Sequence, residues 1–266
     1  MLDRYNRHIN YLRISVTDRC NLRCTYCMPE EGILLMQHKE ILTFDEITEV
    51  VRNALKMGIT KIRLTGGEPL VRKGIVNLVS MISAIEGITD LSMTTNGILL
   101  EELAGPLKAA GLNRVNISLD TLDPEKYREL TRGGDLAKVL KGIDAALSAG
   151  LTPVKINCVV FRSSDEEDAR MVKEFCRGKG LHPRFIRQMN LQTGEFSIVE
   201  GGSGGNCASC NRLRLTANGM VKPCLFDDNE FSVREMGIEQ ALQAALNSKP
   251  EVGCMNHTGQ FYNIGG

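Results

Sequence analysis

Leu12-Arg13-Ile14-Ser15-Val16-Thr17-Asp18-Arg19-Cys20-Asn21-Leu22-Arg23-Cys24-Thr25-Tyr26-Cys27 is the stretch on which the reading of this chain turns. Its first five residues alternate apolar and polar, the period of a β-strand whose two faces meet different surroundings. Three cysteines follow directly, with three and then two residues between them. Three thiolates on one tight loop suit three irons of a cubane [4Fe–4S] cluster and leave the fourth iron open to a small molecule. A zinc site is the plain alternative. Zinc usually takes paired Cys-x-x-Cys arms with a matching fourth ligand; here the first spacing is wrong for that and no nearby His completes the set.

Outward from that loop, 266 residues suit one large α/β domain or one domain with a small extension. Lys and Arg number 32, as do Asp and Glu, so no bulk attraction to nucleic acid or to an anionic membrane is implied. No apolar run is long enough to span a bilayer, and the polar opening Met1–Arg7 lacks the apolar core of a secretion signal. Nine cysteines in such a chain argue against a disulfide framework and for metal or redox use in a reducing cytoplasm. The expectation is a cytoplasmic protein without nucleic-acid or membrane partners.

Strand-like runs alternate with helical patterns as far as Met189. Leu12–Val16, Lys61–Thr65, Asp90–Thr95, Arg114–Leu119, Val154–Phe161 and Arg184–Met189 read as strands. Thr43–Met57 reads as a helix, opened by a Thr43/Glu46 capping box and stopped by Gly58. Further helices are expected over Gly74–Ile85, Leu99–Ala110 (weakened by Pro106), Pro124–Leu130, Leu136–Ala149 and Asp165–Arg177. Six β-then-α units predict an α/β fold, a partial (β/α)6 barrel of the TIM type over residues 1–190, with its active site at the carboxyl ends of the strands. Residues 191–266 form a small loop-rich C-terminal region.

The alternation also predicts what the barrel holds. Leu12, Ile14 and Val16 share one face of the first strand, and Ile62 and Leu64 one face of the second. If these apolar faces pack on outer helices, the lumen holds Arg13, Lys61, Arg63 and Lys155. Buried cations without partners are costly, so this lumen expects a polyanion such as a triphosphate. The alternative is that these cations stand in water at strand ends or pair with carboxylates. Loops at the strand ends agree with a ligand site: Gly66-Gly67-Glu68-Pro69 offers backbone that a ligand can approach closely and a carboxylate for an ammonium. Thr94-Thr95-Asn96-Gly97 and Ser118-Leu119-Asp120 also suit plain caps or turns.

A second cysteine set follows Gly194, Gly201, Gly202, Gly204 and Gly205 and a short expected strand, Phe196–Val199. Asn218-Gly219 is a two-residue hairpin signal that folds Met220–Leu225 back on Arg212–Leu215. Cys224 thereby approaches Cys207 and Cys210. A zinc knuckle completed by Cys254 is the alternative to a second cluster. Arg212 and Arg214 share a face beside these thiols and suit phosphate as charge-assisted forks. Cys158 and Cys176 fall in the fifth strand and the following helix and read as inert core thiols.

The cysteine loop and the Gly-Gly-Glu-Pro loop one unit later resemble the radical S-adenosylmethionine (SAM) superfamily. With Thr94–Gly97, Ser118–Asp120, the run from Cys207 to Leu215, Lys222–Phe226 and the terminal Ile264-Gly265-Gly266, nearly the whole chain resembles the GTP 3′,8-cyclase family, which opens molybdenum cofactor biosynthesis. The resemblance implies a radical SAM lyase with two [4Fe–4S] clusters that uses SAM to convert GTP to (8S)-3′,8-cyclo-7,8-dihydroguanosine 5′-triphosphate. Cys20, Cys24 and Cys27 would hold the SAM cluster, and Cys207, Cys210 and Cys224 the auxiliary one, whose free iron touches guanine. Tyr26, Gly67, Ser118 and Met189 would line SAM. Arg13, Arg63, Thr94, Lys155, Arg184, Arg212 and Arg214 would bind GTP. The Gly265-Gly266 tail would reach into the site. A low-potential electron donor is implied, and a homodimer stays open.

Two departures bear on the substrate. The connection from Met189 to Cys207 is much shorter than is usual in that family, and Arg187 stands where an acid is usual. Cys254, as a fourth ligand, would close the auxiliary iron. The alternative is therefore a related radical SAM enzyme that acts on a peptide or another metabolite.

Overall fold

The computed structural model of the chain describes residues 1–190 and 196–253. Strands β1 (Tyr11–Ser15), β2 (Lys61–Thr65), β3 (Asp90–Thr95), β4 (Arg114–Ser118), β5 (Lys155–Val160) and β6 (His182–Arg187) lie side by side in chain order, all parallel. Helices α1 (Phe44–Lys56), α2 (Ile75–Ser83), α3 (Leu100–Ala109), α4 (Pro124–Thr131), α5 (Leu136–Ser148) and α6 (Glu167–Lys179) carry the chain between them. The architecture is the partial (β/α)6 barrel that the alternating pattern predicts. Among the described residues no helix is long and apolar enough to cross a membrane.

The layers follow from the period of each element. Leu12, Ile14, Ile62 and Leu64 are fully buried in one apolar core with Ile47, Val50, Val51 and Ala54 of α1. α1 begins where Thr43 Oγ1 accepts from Glu46 N–H and Glu46 Oε2 accepts from Thr43 N–H, the full capping box. Pro106 does not stop α3, because the apolar residues Leu100, Ala104 and Leu107 around it are buried and hold the helix in place.

The chain beyond β6 joins the same sheet. β7 (Arg212–Leu215) runs parallel to β1 on its free edge, and β8 (Met220–Lys222) and β9 (Phe231–Ser232) continue antiparallel. A last helix, α7 (Ile238–Asn247), closes the described part. The hairpin at Asn218-Gly219 forms, but its loop has three residues: Thr216 N–H donates to Met220 O at 2.9 Å, and Gly219 takes the positive φ of 90°.

Two expectations need correction. Phe196–Val199 is not a strand. Val199 N–H is spent on Gly204 O at 2.9 Å inside a tight glycine loop, so it cannot join a ladder, and the contact with β6 is the single bridge Phe185–Glu200. The sixth strand also begins and ends two residues early, at His182 and Arg187, which leaves Met189 beyond the ladder.

The C-terminal segment is tied to α1 by Arg234, which donates to both Glu46 oxygens at 2.8 and 3.0 Å. That hydrogen-bonded guanidinium, ahead of the capping contacts, lowers the Glu46 carboxyl from 4.5 to about 2. A carboxyl depressed on folding contributes stability that is present above its unfolded value and is lost as pH falls through the folded one. Solvent screening at this half-exposed site limits the pair to ~0.5 kcal/mol. Glu46→Gln keeps the capping geometry and removes the charge. It should lower the neutral-pH melting temperature by about 1–2 °C, and the gap to wild type should narrow as thermal melts move from pH 5 towards pH 3.

Candidate functional site

Parallel register stacks the inward-facing residues in rungs. Nearest the amino ends, Arg212, Tyr11, Lys61 and Asp90 stand abreast on β7, β1, β2 and β3. The next rung is Arg214, Arg13, Arg63, Ser92 and Arg114. Above it come Thr94, Asn116 and Lys155, then Ser118, Asn157 and Arg184. The lumen is therefore polar and cationic, as the alternation predicts. Its cavity of roughly 260 Å³ is lined by seven cationic side chains and by one carboxylate, Asp90. Asp90 is committed to Arg114, with contacts of 3.0 and 2.5 Å, so it does not neutralise the other six.

Like charges packed on adjacent strands strain one another. Arg13 and Arg63 are each 8 % exposed and Arg214 is 6 % exposed. Burial first, then the Arg214 guanidinium, pushes Arg13 well below its ordinary range. Burial and Arg212 bring Arg214 to about 10, and burial and Arg184 bring Lys155 to about 8. Arg63 is lowered too, although its Nε donates to Ser92 Oγ at 3.2 Å and its guanidinium lies 5.4 Å from the Tyr11 ring centre. Around the same lumen Tyr11 Oη, Thr94 Oγ1, Asn116 Nδ2, Asn157 Oδ1, Arg184 Nε and Arg212 Nε are buried without a hydrogen-bond partner. Orphaned buried polar atoms are rare. Set among closely packed like charges, these six suit a polyanion that also carries hydrogen-bonding groups.

The cysteine loop sits over the carboxyl end of β1. Its entry is braced by the glycine loop after β2: Gly67 N–H donates to Thr17 O and Glu68 N–H to Arg19 O, each at 2.8 Å. Glu68 corrects an expectation. It is 1 % exposed, and its carboxylate accepts from Leu70 N–H, Thr95 Oγ1 and Asn96 N–H at 3.0, 2.8 and 2.6 Å, so its oxygens are spent on the scaffold rather than on a ligand ammonium. The glycines likewise make room for the cysteine loop. A Cβ on Gly67 would lie 2.4 Å from Arg19 O. Tyr26 Oη donates to Asp120 Oδ2 at 2.6 Å, which ties the cysteine loop to the end of β4, where Ser118 also stands. Burial raises the Cys20 thiol to about 11 and the Cys24 thiol to about 12. Bound iron reverses that preference, because a coordinating thiol is deprotonated outright.

The second trio lies at the opposite, amino end of the lumen. Cys210 precedes Arg212 by two residues, and Asn211 O accepts from Tyr11 N–H at 3.2 Å, so these thiols adjoin the lowest rung. Cys210 N–H donates to Cys207 O at 3.1 Å, and the hairpin brings Cys224 within electrostatic reach of Cys210. Burial raises Cys210 most, but Lys249, the Arg212 N–H and the Arg212 charge together outweigh it, and the thiol ends below its ordinary value. Both trios offer sulfur alone, a donor set that suits an iron–sulfur cluster and not calcium or magnesium. Among the described residues no three His, Cys, Asp or Glu side chains gather closely enough for one bare metal ion. Cys254 and Gly265-Gly266 lie outside the described residues.

Of the expected site residues, Arg13, Arg63, Lys155, Arg184 and Arg212 line the cavity, and Arg214 and Thr94 stand in its rungs. Tyr26, Gly67 and Ser118 gather at the carboxyl ends of the strands, and Met189 follows β6 on that same side. Arg187 is exposed at the end of β6 and lines a separate hollow with Gln188, Asn190 and Phe196. Tyr11, Asn116 and Asn157 were missed as site residues, although the alternation puts each on a lumen face. Arg7 and Lys249, which hold the second trio by backbone carbonyls, leave no such signal.

The Radical SAM superfamily model matches residues 14–176, and the Molybdenum Cofactor Synthesis C model matches residues 167–252. The GTP 3′,8-cyclase of Alkaliphilus oremlandii is 42% identical over 299 aligned positions, covering 94% of this chain and 93% of that protein. The GTP 3′,8-cyclase of Desulforamulus reducens is 45% identical, covering 88% and 86%. The first alignment is longer than the 266-residue chain, so that relative carries residues inside the matched span that have no counterpart here. Among solved structures, Streptococcus suis SuiB bound to precursor peptide SuiA superposes with a TM-score of 0.69 at 16% identity, over 93% of this chain and 66% of that one. Methylornithine synthase gives 0.56 at 19% identity, over 69% and 54%. The chain thus spans about two thirds of SuiB, and at these identities the likeness is one of fold.

Proposed function

The chain belongs to the radical SAM superfamily and, within it, to the GTP 3′,8-cyclase family, and on that footing we propose how its own residues carry out the conversion of GTP to (8S)-3′,8-cyclo-7,8-dihydroguanosine 5′-triphosphate. A [4Fe–4S] cluster and SAM come with the superfamily. Bound at the cysteine loop, they would supply a 5′-deoxyadenosyl radical that takes the ribose 3′ hydrogen, so that this carbon bonds to guanine C8 and the cyclised radical takes up one electron and a proton at N7. Everything else falls to the chain. Cys20, Cys24 and Cys27 hold the cluster, and Tyr26, Gly67, Ser118 and Met189 line SAM. Arg13, Arg63, Thr94, Lys155, Arg184, Arg212 and Arg214 hold GTP below, with the triphosphate on the guanidinium rungs. Cys207, Cys210 and Cys224 hold an auxiliary cluster at the far end, where guanine is fixed. In this division of labour residues 1–190 generate the radical and residues 191–266 orient the base. A low-potential donor would supply two electrons per turnover, one for SAM cleavage and one for the cyclised radical.

The observation that carries the reading is the surplus of buried cations and orphaned polar atoms between the two cysteine trios. A stack of arginines costs stability unless an anion answers it, and preorganised cations around a transferred or positioned phosphate are a recurrent design. Anaerobically reconstituted protein given SAM, reductant and GTP should yield 5′-deoxyadenosine and the cyclised nucleotide in step. SAM cleavage that ignores GTP and gives no cyclic product would reject the assignment. A second reading, a related enzyme with a peptide or other substrate, is favoured by the residues this chain lacks relative to its family, together with Arg187 and Cys254. It predicts that GTP leaves SAM cleavage unchanged.

A further inference from the structure

Lys249 is 1 % exposed at the end of α7, and no carboxylate among the described residues lies within ion-pair distance of it. A buried ammonium without a counter-charge is costly. Its Nζ donates to Arg212 O at 2.9 Å and to Pro223 O at 2.7 Å. These two carbonyls hold the ammonium between the two cysteine-bearing arms, where its charge acts on the Cys210 and Cys224 sulfurs. The two acceptors belong to the residue two beyond Cys210 and to the residue just before Cys224. One side chain therefore joins both cysteine-bearing arms, and it places a fixed positive charge against two sulfurs. Arg7 grips the remaining arm: Nη1 donates to Cys207 O at 2.9 Å, and Nε to the buried Asp3 carboxylate at 2.6 Å. Arg7, however, already has its carboxylate. Lys249 has thiols instead.

We propose that Lys249 is the built-in counter-cation of the auxiliary cluster, a positioning residue that sets the spacing of Cys210 and Cys224 and raises the cluster's affinity for an electron. The inference rests on the auxiliary-cluster reading above. Net charge and hydrogen bonds to the sulfurs are the levers that tune an iron–sulfur potential, and outer contacts of this kind typically matter 10- to 100-fold for a metal site. Removing the charge while keeping the volume should weaken both cluster retention and electron affinity.

The test uses the full chain with Cys24→Ala and Cys27→Ala, so that only the second trio can load. After anaerobic reconstitution, iron and sulfide per chain, the rate of cluster loss to a chelator, and an EPR-monitored redox titration are compared with and without Lys249→Met. The expected result is a loaded cluster that is lost at least tenfold faster and binds an electron at least tenfold more weakly, a fall of about 59 mV. Lys249→Gln, which keeps two donors without the charge, should recover retention in part but not potential. Normal loading in the parent with retention and potential unchanged in both variants would overturn the inference alone. No iron uptake in the parent would overturn the auxiliary-cluster reading beneath it. Loss of folding in both variants, read by circular dichroism of the iron-free chains, would make Lys249 a structural residue and overturn the assignment as well.

Discussion

Arg13→Met should raise the melting temperature of the iron-free chain and, in the same protein, lower GTP affinity by two to three orders of magnitude. The two signs share one cause. Arg13 lies in the middle of the Arg214–Arg13–Arg63 rung, buried, with a like charge on either side. Burial and those neighbours disfavour its charged form in the fold. Methionine fills a similar space without the charge. Replacing buried charged groups by well-packed apolar ones of similar volume often stabilises by ~1–4 kcal/mol, and the lower part of that range corresponds to a gain of about 3–6 °C. Against GTP the balance inverts. A desolvated charge-assisted contact is worth ~2–5 kcal/mol to a bound polyanion, and Arg13 has like charges from Arg214, Arg63 and Arg212 to relieve. Thermal melts with and without GTP, together with calorimetric titration, read both effects. A variant that melts lower than wild type without ligand would show that Arg13 holds the fold together, and the cationic rung would then no longer argue for a phosphate site.

That contrast explains how much of the site the sequence discloses. Alternation is local, so it identifies which residues of β1, β2, β4 and β5 share the lumen, and the capping box at Thr43 marks the start of α1 from four residues alone. Pairing between distant segments is not local. Nothing in the run Arg212–Leu215 says that it will lie parallel to β1, two hundred residues earlier, yet that pairing is what aligns Arg212 with Tyr11 and Arg214 with Arg13. The short run Phe196–Val199 misleads for the opposite reason: its residues favour a strand, but the glycines after it turn the chain back before a partner is reached. Polar groups that serve the scaffold look like ligand groups in a sequence. Glu68 is the case in point, because only coordinates show that three protein donors already occupy its oxygens.

Gly67→Ala should cost about 100-fold or more in SAM cleavage, with or without GTP, while GTP binding to the lumen survives. The added carbon would lie 2.4 Å from Arg19 O, 2.7 Å from Arg19 C and 2.9 Å from Asp18 O, all backbone, so no side chain can rotate out of the way. The segment that must move is the one directly before Cys20. It is held by the hydrogen bonds from Gly67 and Glu68 to Thr17 and Arg19, which tie the two loops into one body. A misplacement of ~1 Å at a reacting centre costs on the order of 100-fold. Gly105 provides the matched control. It sits inside α3 with nothing within 4 Å of where a Cβ would stand, so Gly105→Ala should stabilise by ~0.5–1 kcal/mol and leave turnover alone. Iron content, SAM cleavage and melting temperature of the two alanine variants separate the effects. If both behave alike, the glycine loop does not brace the cysteine loop. If only Gly67→Ala loses iron and SAM cleavage, the bond network between the loops is what sets the position of the first cluster ligand.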